Sequence, residues 1–256
     1  MPPLAGLAWQ VMGANKGIKA LLFDVFGTVV DWRSGVIRDV TTAARAVGAD
    51  VDAGAFADAW RGAYGPAMDL VRRRELPWTK LDDLHRGTLD RLLGEFGLTG
   101  LDQELRDWLN TCWHRLDPWP DAVPGLLRLR TPFVVAALSN GNVSLLVNMA
   151  RRAGIPWDFV FSAELFRHYK PDPETYLGAA GLLGLAPHEV MLVAAHPGDL
   201  RAAASYGLAT AFVPRPAEHG QPAHRQPGHR QPEYNAHDEY TVVAADFGAL
   251  ASALGA

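Results

Sequence analysis

The sequence lacks the features that mark secreted, membrane-spanning or nucleic-acid-binding proteins. It has one cysteine, Cys112, so no disulfide can form within the chain, and this predicts a reducing, cytoplasmic location. Hydrophobic residues make up 48% of the chain but fall in runs much shorter than the roughly 20 residues that span a bilayer. The net charge is -4 and no dense Lys/Arg block is present. We therefore expect a small-molecule partner, and neither nucleic acid nor a membrane.

Motifs for nucleotide cofactors and for a serine nucleophile are missing as well. No G-x-G-x-x-G, G-x-x-x-x-G-K or G-x-S-x-G pattern occurs. Residues 1–17 lack the basic start and long apolar segment of a secretory signal, and we expect an exposed leader or a start-site artefact there. Cys112 lies in a helical pattern and is expected to be an ordinary apolar helix residue.

Alternating strand and helix patterns predict an α/β fold with a parallel sheet and helices on both faces. Residues 18–25 form an apolar run that ends at a glycine, as in a strand buried on both faces. Later strands are predicted at 133–138, 159–161, 190–195 and 210–213, and helices at 143–153, 174–183 and 202–206. Such alternation implies right-handed crossovers between parallel strands.

A long stretch after the first strand has only helical spacing. Residues 34–115 predict an inserted bundle of about four helices, one of which contains Phe56, Trp60, Tyr64 and Met68. The core is then expected to consist of residues 18–33 and 116–256.

A polar loop is predicted within this core at residues 216–239, because the segment offers little apolar side-chain surface. His219, His224 and His229 recur there every five residues. Neither cysteine nor carboxylate interleaves with them in a recognised ligand spacing, so we interpret the segment as a surface loop and not as a metal site.

Candidate site residues lie where predicted strands end, which is where parallel α/β sheets bind ligands. They are Asp24, Ser139, Asn140, His196 and Asp199. Asp24 precedes a Gly-Thr turn and can attack an electrophile to form an ester. It must stay ionised to do so, and Lys170, in a loop stiffened by prolines, is the candidate cation.

The ordered set Asp24, Ser139-Asn140, Lys170-Pro171 and Asp199, with a helical insertion after the first strand, resembles the haloacid dehalogenase superfamily. The chain is more closely similar to the L-2-haloacid dehalogenases, from about Ile18 onward. The resemblance implies a Rossmann-like parallel-sheet core with an inserted α-helical cap. It also implies a hydrolase without metal or cofactor, in which an aspartate displaces halide from a 2-haloacid and water then hydrolyses the ester. The oligomeric state, a homodimer included, is left open.

The resemblance also assigns roles to the charged and hydroxyl-bearing residues. Asp24 is expected to be the nucleophile and Lys170 its charge partner. Asp199 would hold Lys170 or position the hydrolytic water. Thr28 and Ser139 would orient Asp24 or bind the substrate carboxylate.

Further roles fall on residues around the expected substrate. Main-chain N–H groups near Val25 and Phe26 would help to bind its carboxylate. Arg61 resembles the cap arginine that faces the leaving halide, a task suited to an always-charged group with several donors. Asn140 would complete the halide cradle, and Tyr176 matches a family tyrosine.

Phe26 separates this chain from the magnesium phosphatases of the superfamily, which carry a second Asp at that position. A phenyl ring cannot donate a proton to a leaving alkoxide, whereas halide leaves without one. It can instead help to exclude water. The carbonyl of Phe26 remains able to bind magnesium, so a magnesium-dependent small-molecule phosphatase is one alternative. A catalytically silent binding protein is another, because fold alone does not establish function.

His196 and Gly198 depart from the commonest dehalogenase pattern, in which an Asn and often a Trp stand at these positions. His196 supplies either an N–H donor or a base for the attacking water. A donor beside Arg61 favours a small, strongly hydrogen-bonding leaving group. Fluoroacetate therefore joins chloro- and bromoacetate as a candidate substrate.

Overall fold

The computed structural model describes residues 17–220 and 240–256, and its main feature is a six-stranded parallel sheet. The strands of the described chain are β1 (Ala20–Phe23), β2 (Val30–Asp31), β3 (Asp117–Pro118), β4 (Val134–Ser139), β5 (Phe159–Ser162), β6 (Val190–Ala194), β7 (Ala209–Phe212) and β8 (Val242–Val243). The sheet order is β5-β4-β1-β6-β7-β8, while β2 and β3 pair antiparallel to each other.

Helices surround the sheet and fill the stretch between β2 and β3. The α-helices of the described residues are α1 (Trp32–Ala46), α2 (Ala53–Gly62), α3 (Tyr64–Arg72), α4 (Leu81–Glu95), α5 (Gln103–Asn110), α6 (Ala122–Leu129), α7 (Val143–Ala153), α8 (Ala163–Phe166), α9 (Pro173–Leu182), α10 (Pro197–Ser205) and α11 (Phe247–Leu254). Asp31, Asp52 and Asp102 begin α1, α2 and α5 by accepting a backbone N–H of the first turn. None of the described helices is both long enough and apolar enough to cross a membrane.

The central strand β1 is fully buried because both faces of the sheet are covered. Leu21 and Phe23 pack into one apolar cluster, and Ala20 and Leu22 pack into the other. This alternation follows from the two-residue period of a strand. Phe23 meets Phe247 of α11 edge-on, with ring centroids 5.1 Å apart. A continuous apolar strand is therefore needed in the middle of the sheet, as the sequence predicts.

The α/β fold predicted from the sequence is confirmed, with one difference in the helical stretch. Phe56 and Trp60 lie on α2, whereas Tyr64 and Met68 lie on α3, so the prediction of one helix is wrong. Pro66 causes the break, because it has no N–H to continue the hydrogen-bond ladder. The stretch contains five α-helices and a 3-10 turn at Thr111–Arg115, not about four helices.

Other differences are small. Cys112 lies in that 3-10 turn and not in an α-helix, and burial raises the pKa of its thiol. The predicted elements do not include α6, α8, α11, β2, β3 and β8, which are short. Residues 1–16 of the predicted leader and 221–239 of the predicted polar loop, with His224 and His229, lie outside the described residues. The residue bounds proposed for core and insertion stay a prediction.

Arg215, in the segment after β7, ties three distant segments to each other. Its guanidinium contacts both carboxylate oxygens of Asp121 at 2.7 and 2.9 Å, and its Nε donates to the carbonyl of Thr28 at 2.9 Å. The backbone N–H of Phe247 donates to the same Asp121 carboxylate. Arg215 thereby fixes the turn after β1 against the starts of α6 and α11.

We expect Arg215→Met to lower the free energy of unfolding by about 2 kcal/mol, because it leaves a partly buried carboxylate and a carbonyl without their donor. Urea unfolding midpoints at constant m-value measure the change. Arg151→Met on α7 is the control, since Arg151 is exposed and forms no ion pair within the described part of the chain. Its effect should stay within about 0.5 kcal/mol. Equal effects of the two substitutions would contradict the proposed role of Arg215.

Candidate active site

Asp24, directly after β1, is a buried carboxylate with three side-chain partners. The Thr28 hydroxyl donates to Oδ2 at 2.7 Å, Lys170 Nζ lies 2.9 Å from Oδ1, and His196 Nδ1 lies 2.9 Å from Oδ2. Burial would raise the pKa of Asp24, but Lys170 and His196 hold it well below its usual range. Asp24 is therefore ionised at neutral pH.

The turn after β1 fixes the direction of this carboxylate. Gly27 adopts φ +83°, a left-handed conformation that favours glycine. The Thr28 hydroxyl oxygen accepts the backbone N–H of Ala195 at 2.9 Å, so its own proton is directed to Asp24. Two adjacent strand ends, those of β1 and β6, are thus joined through one hydroxyl group.

Lys170 lies between two carboxylates. Its Nζ is 2.9 Å from Asp24 and 2.5 Å from Asp199 Oδ2, while the Tyr176 hydroxyl donates to the other oxygen of Asp199 at 2.6 Å. Burial would lower the pKa of Lys170, but Asp199 and Asp24 raise it above its usual range. The backbone N–H of Lys170 donates to Asn140 Oδ1 at 2.7 Å, which positions the loop. A charged ammonium therefore holds the nucleophile candidate in place.

Glu218 is a site residue that the sequence analysis did not find. It lies in the part of the predicted polar loop that the structure describes, yet it is only 4% exposed. Trp32 Nε1 donates to its Oε1 at 3.0 Å, and His196 Nε2 lies 3.0 and 3.1 Å from its two oxygens. A Cβ on Gly27 would lie 2.1 Å from Oε1, so only glycine leaves room for Glu218. The one available signal was that Glu218 is the only acidic residue in the stretch 214–232.

His196 is held between Asp24 and Glu218. Burial would lower the pKa of His196, but the two carboxylates raise it to about 10. Burial would likewise raise the pKa of Glu218, whereas His196 lowers it to about 2. At neutral pH His196 is therefore an imidazolium that donates one N–H to each carboxylate.

A cavity of about 290 Å³ opens in front of Asp24. Its lining comprises Asp24, Phe26, Arg61, Tyr64, Asn140, Lys170, Pro171, Tyr176, His196, Gly198 and Asp199. Eight of these were predicted as site residues; Tyr64, Pro171 and Gly198 were not. Val25, Thr28 and Ser139 are buried behind the lining, where the Ser139 hydroxyl accepts the N–H of Gly141. The structure thus brings most of the predicted residues to one cavity, while their individual roles stay predictions.

Arg61 extends from α2 into this cavity and is oriented by aromatic rings. Its guanidinium carbon lies 4.4 Å from the ring centroid of Tyr64 and 5.6 Å from that of Trp32, both cation–π distances. It forms no ion pair with a carboxylate of the described residues, so its N–H donors are available to an anion.

A neutral aromatic layer supports the wall formed by Phe26 and Tyr64. Trp113 lies 5.9 Å edge-on from Phe26, and His85 stacks on Trp113 at 4.4 Å. Burial lowers the pKa of His85 to about 3, and neither of its ring nitrogens has a hydrogen-bond partner in the described chain. The layer therefore adds no positive charge that would compete with Arg61 for an anion.

The two acids of the site that could hold a divalent cation already share one positive partner. Asp24 and Asp199, the acids that would hold magnesium, both contact the Lys170 ammonium, so a positive charge already lies between them. Away from this site, His168, Asp172 and Glu174 have possible ligand atoms within 4.8 Å of one another. Arg72 forms an ion pair with Asp172 at 2.8 Å, so this carboxylate already has a positive partner.

Comparisons with known proteins agree with this geometry. A family model described as haloacid dehalogenase-like hydrolase matches residues 18–207. The (S)-2-haloacid dehalogenase 4A of Burkholderia cepacia is 30% identical over 208 residues, which cover 77% of this chain and 84% of the relative. The corresponding enzyme of Xanthobacter autotrophicus is 31% identical over 208 residues, 77% of this chain and 76% of the relative.

Solved structures give the same result. A defluorinating L-2-haloacid dehalogenase is 46% identical with a TM-score of 0.87, over 93% of this chain and 96% of that one. Another L-2-haloacid dehalogenase is 47% identical with a TM-score of 0.84, over 93% and 100% of the two chains. The resemblance inferred from the motifs is confirmed. The chain belongs to the haloacid dehalogenase-like hydrolases and, within them, to the L-2-haloacid dehalogenases.

Proposed function

We propose that this hydrolase removes halide from short 2-haloacids without a metal, through an ester on Asp24. The observation that carries the proposal is the ionised Asp24 carboxylate facing a cavity that also contains the guanidinium of Arg61, which pairs with no carboxylate of the described residues. Phe26 adds an apolar ring and no proton donor, which suits a halide and not an alkoxide leaving group. Lys170 contacts both Asp24 and Asp199 and keeps the nucleophile ionised and in place.

In the first step, Asp24 attacks the α-carbon of the substrate. A carbon–oxygen bond forms on one side while the carbon–halogen bond breaks on the other, with inversion, and the halide leaves with the bonding electrons. Arg61 and Asn140, both in the cavity lining, hold the halide. Thr28 orients the carboxylate through its 2.7 Å hydrogen bond, and main-chain N–H groups near Phe26 bind the substrate carboxylate.

Esterification changes the charge that His196 faces. The ester of Asp24 is neutral, so one of the two carboxylates that raise the pKa of His196 is lost. His196 then releases its Nδ1 proton to solvent, while Glu218 keeps the proton on Nε2. The base for the second step is therefore formed by the first step.

In the second step, water attacks the ester carbonyl of Asp24 while His196 Nδ1 takes a proton from it. The carbonyl–oxygen bond of the ester then breaks, which releases the 2-hydroxyacid and restores the Asp24 carboxylate and the imidazolium. One proton and one halide appear per turnover, so the reaction is balanced. Asp199 acts on Lys170 and not on water, because its two oxygens contact Lys170 and Tyr176.

Fluoroacetate is included among the proposed substrates. Arg61 and Asn140 place donor-bearing side chains around a small cavity, and the His196 imidazolium adds a positive charge to its lining. Fluoride needs stronger hydrogen bonding and charge stabilisation to leave than chloride. One similar structure is that of a defluorinating enzyme.

We expect halide release from fluoro-, chloro- and bromoacetate in the presence of a chelator, and no hydrolysis of p-nitrophenyl phosphate with added magnesium. Asp24→Asn should lower halide release at least about 10³-fold, because the nucleophile is lost. Asp50→Asn, at an exposed aspartate outside the site, is the matched control and should retain activity. Phosphate release without halide release would refute the dehalogenase proposal, and no turnover of either kind would favour a binding protein.

We expect Glu218→Gln to slow ester hydrolysis about 10²-fold, since the amide has nearly the same shape but no charge to support His196. The ester on Asp24 should accumulate during turnover and be detected by mass spectrometry after rapid quenching. Removing a negative neighbour lowers the pKa of His196, so the inflection in the pH dependence of ester hydrolysis should move to lower pH. Slower alkylation without ester accumulation would mean that Glu218 has only a structural role.

We expect His196→Asn to lower the ratio of kcat/KM for fluoroacetate to that for chloroacetate about tenfold, because the positive charge of the imidazolium in the cavity lining is lost. The ratio of kcat/KM reports the steps up to halide release, so slower ester hydrolysis does not distort it. An unchanged ratio would show that His196 does not assist the release of fluoride.

A further inference from the structure

One part of the cavity wall has no side chain. Gly198, in the first turn of α10, lines the cavity and is exposed to solvent. A Cβ built on it meets no atom within 4 Å, and its φ lies outside the left-handed region. Gly27, in contrast, is required by a close approach and by a positive φ. Neither packing nor the backbone therefore demands glycine at position 198.

The other lining residues restrict the direction in which a substituent on the α-carbon of the substrate can extend. Phe26 and Tyr64 are supported by the buried aromatic layer and cannot move outward. In the proposed function, Arg61 and Asn140 hold the halide, and main-chain N–H groups near Phe26 bind the substrate carboxylate. Pro171 and Gly198 are the two lining residues that are exposed in the described structure, and the Tyr206 hydroxyl fixes the carbonyl of Pro171 at 3.0 Å. Of the lining, these two residues are therefore the most accessible to solvent.

We infer that the third substituent of the α-carbon leaves the cavity through the gap between Pro171 and Gly198. The substrate class then includes 2-haloacids with unbranched alkyl substituents of several carbons, which extend past Gly198. Gly198 is the specificity-determining residue, since any side chain there narrows the gap. This inference rests on the proposed function.

The test compares kcat/KM for (S)-2-bromopropionate and (S)-2-bromohexanoate. We expect the unchanged chain to hydrolyse both within about tenfold of each other, and Gly198→Trp to lower the hexanoate-to-propionate ratio at least about tenfold, in the range by which pocket contacts discriminate alkyl groups. Gly198→Ala should give a smaller decrease. Gly181→Trp is the matched control, because Gly181 is also an exposed helical glycine whose added Cβ meets no atom within 4 Å, and it should leave the ratio unchanged.

The outcomes separate the two proposals. No halide from either substrate or from chloroacetate would refute the proposed function and the inference together, whereas halide from chloroacetate alone would overturn only the inference. Hydrolysis of bromopropionate with rejection of bromohexanoate would overturn the inference alone. So would a Gly198→Trp variant that folds, as judged by its melting curve, and keeps the ratio of the unchanged chain.

Discussion

A buried carboxylate stays ionised only if cations lie close to it. The residues of the site supply two such cations for Asp24. Lys170 and His196 flank Asp24, and each of these cations is held by a further carboxylate, Asp199 or Glu218. The result is a row of five alternating charges. Removing ions from water costs several kcal/mol for each one, and only close opposite charges offset it. The loops after β1 and β6, the Lys170 loop and the segment after β7 must therefore meet at one edge of the sheet.

The same row of charges would allow one aspartate to serve both steps of the proposed cycle. Asp24 is its middle member, so chemistry at Asp24 changes the electrostatics on both sides at once. In the proposed cycle Lys170 then faces Asp199 alone and His196 faces Glu218 alone. In that cycle, formation of the ester on Asp24 lowers the pKa of His196, whose Nδ1 lies 2.9 Å from Asp24 Oδ2. The backbone does not have to move for this change. Positioning by parallel strand ends makes such short distances possible.

Much of the fold and part of the site could be predicted because their signals are local. Asp24 follows an apolar run and precedes a Gly-Thr turn, and Lys170 lies in a proline-fixed loop. Glu218 has no such signal: it lies in a polar tract, and its burial results from contacts with Trp32, 186 residues earlier, and from the space at Gly27. The break between α2 and α3 was missed for a different reason, since the apolar spacing continues across it while Pro66 interrupts the hydrogen bonds.

The sequence separation within this row of charges has a consequence for biosynthesis. Asp24 leaves the ribosome early and Glu218 late, yet both contact His196. Contacts between such distant residues form late in folding, because the entropy of closing a long loop opposes them. On a nascent or partly folded chain, Asp24 is a hydrated carboxylate like any other. In the proposed function, Asp24 would therefore become reactive only after the segment that contains Glu218 has packed against His196, and the substrate would not alkylate an unfinished chain.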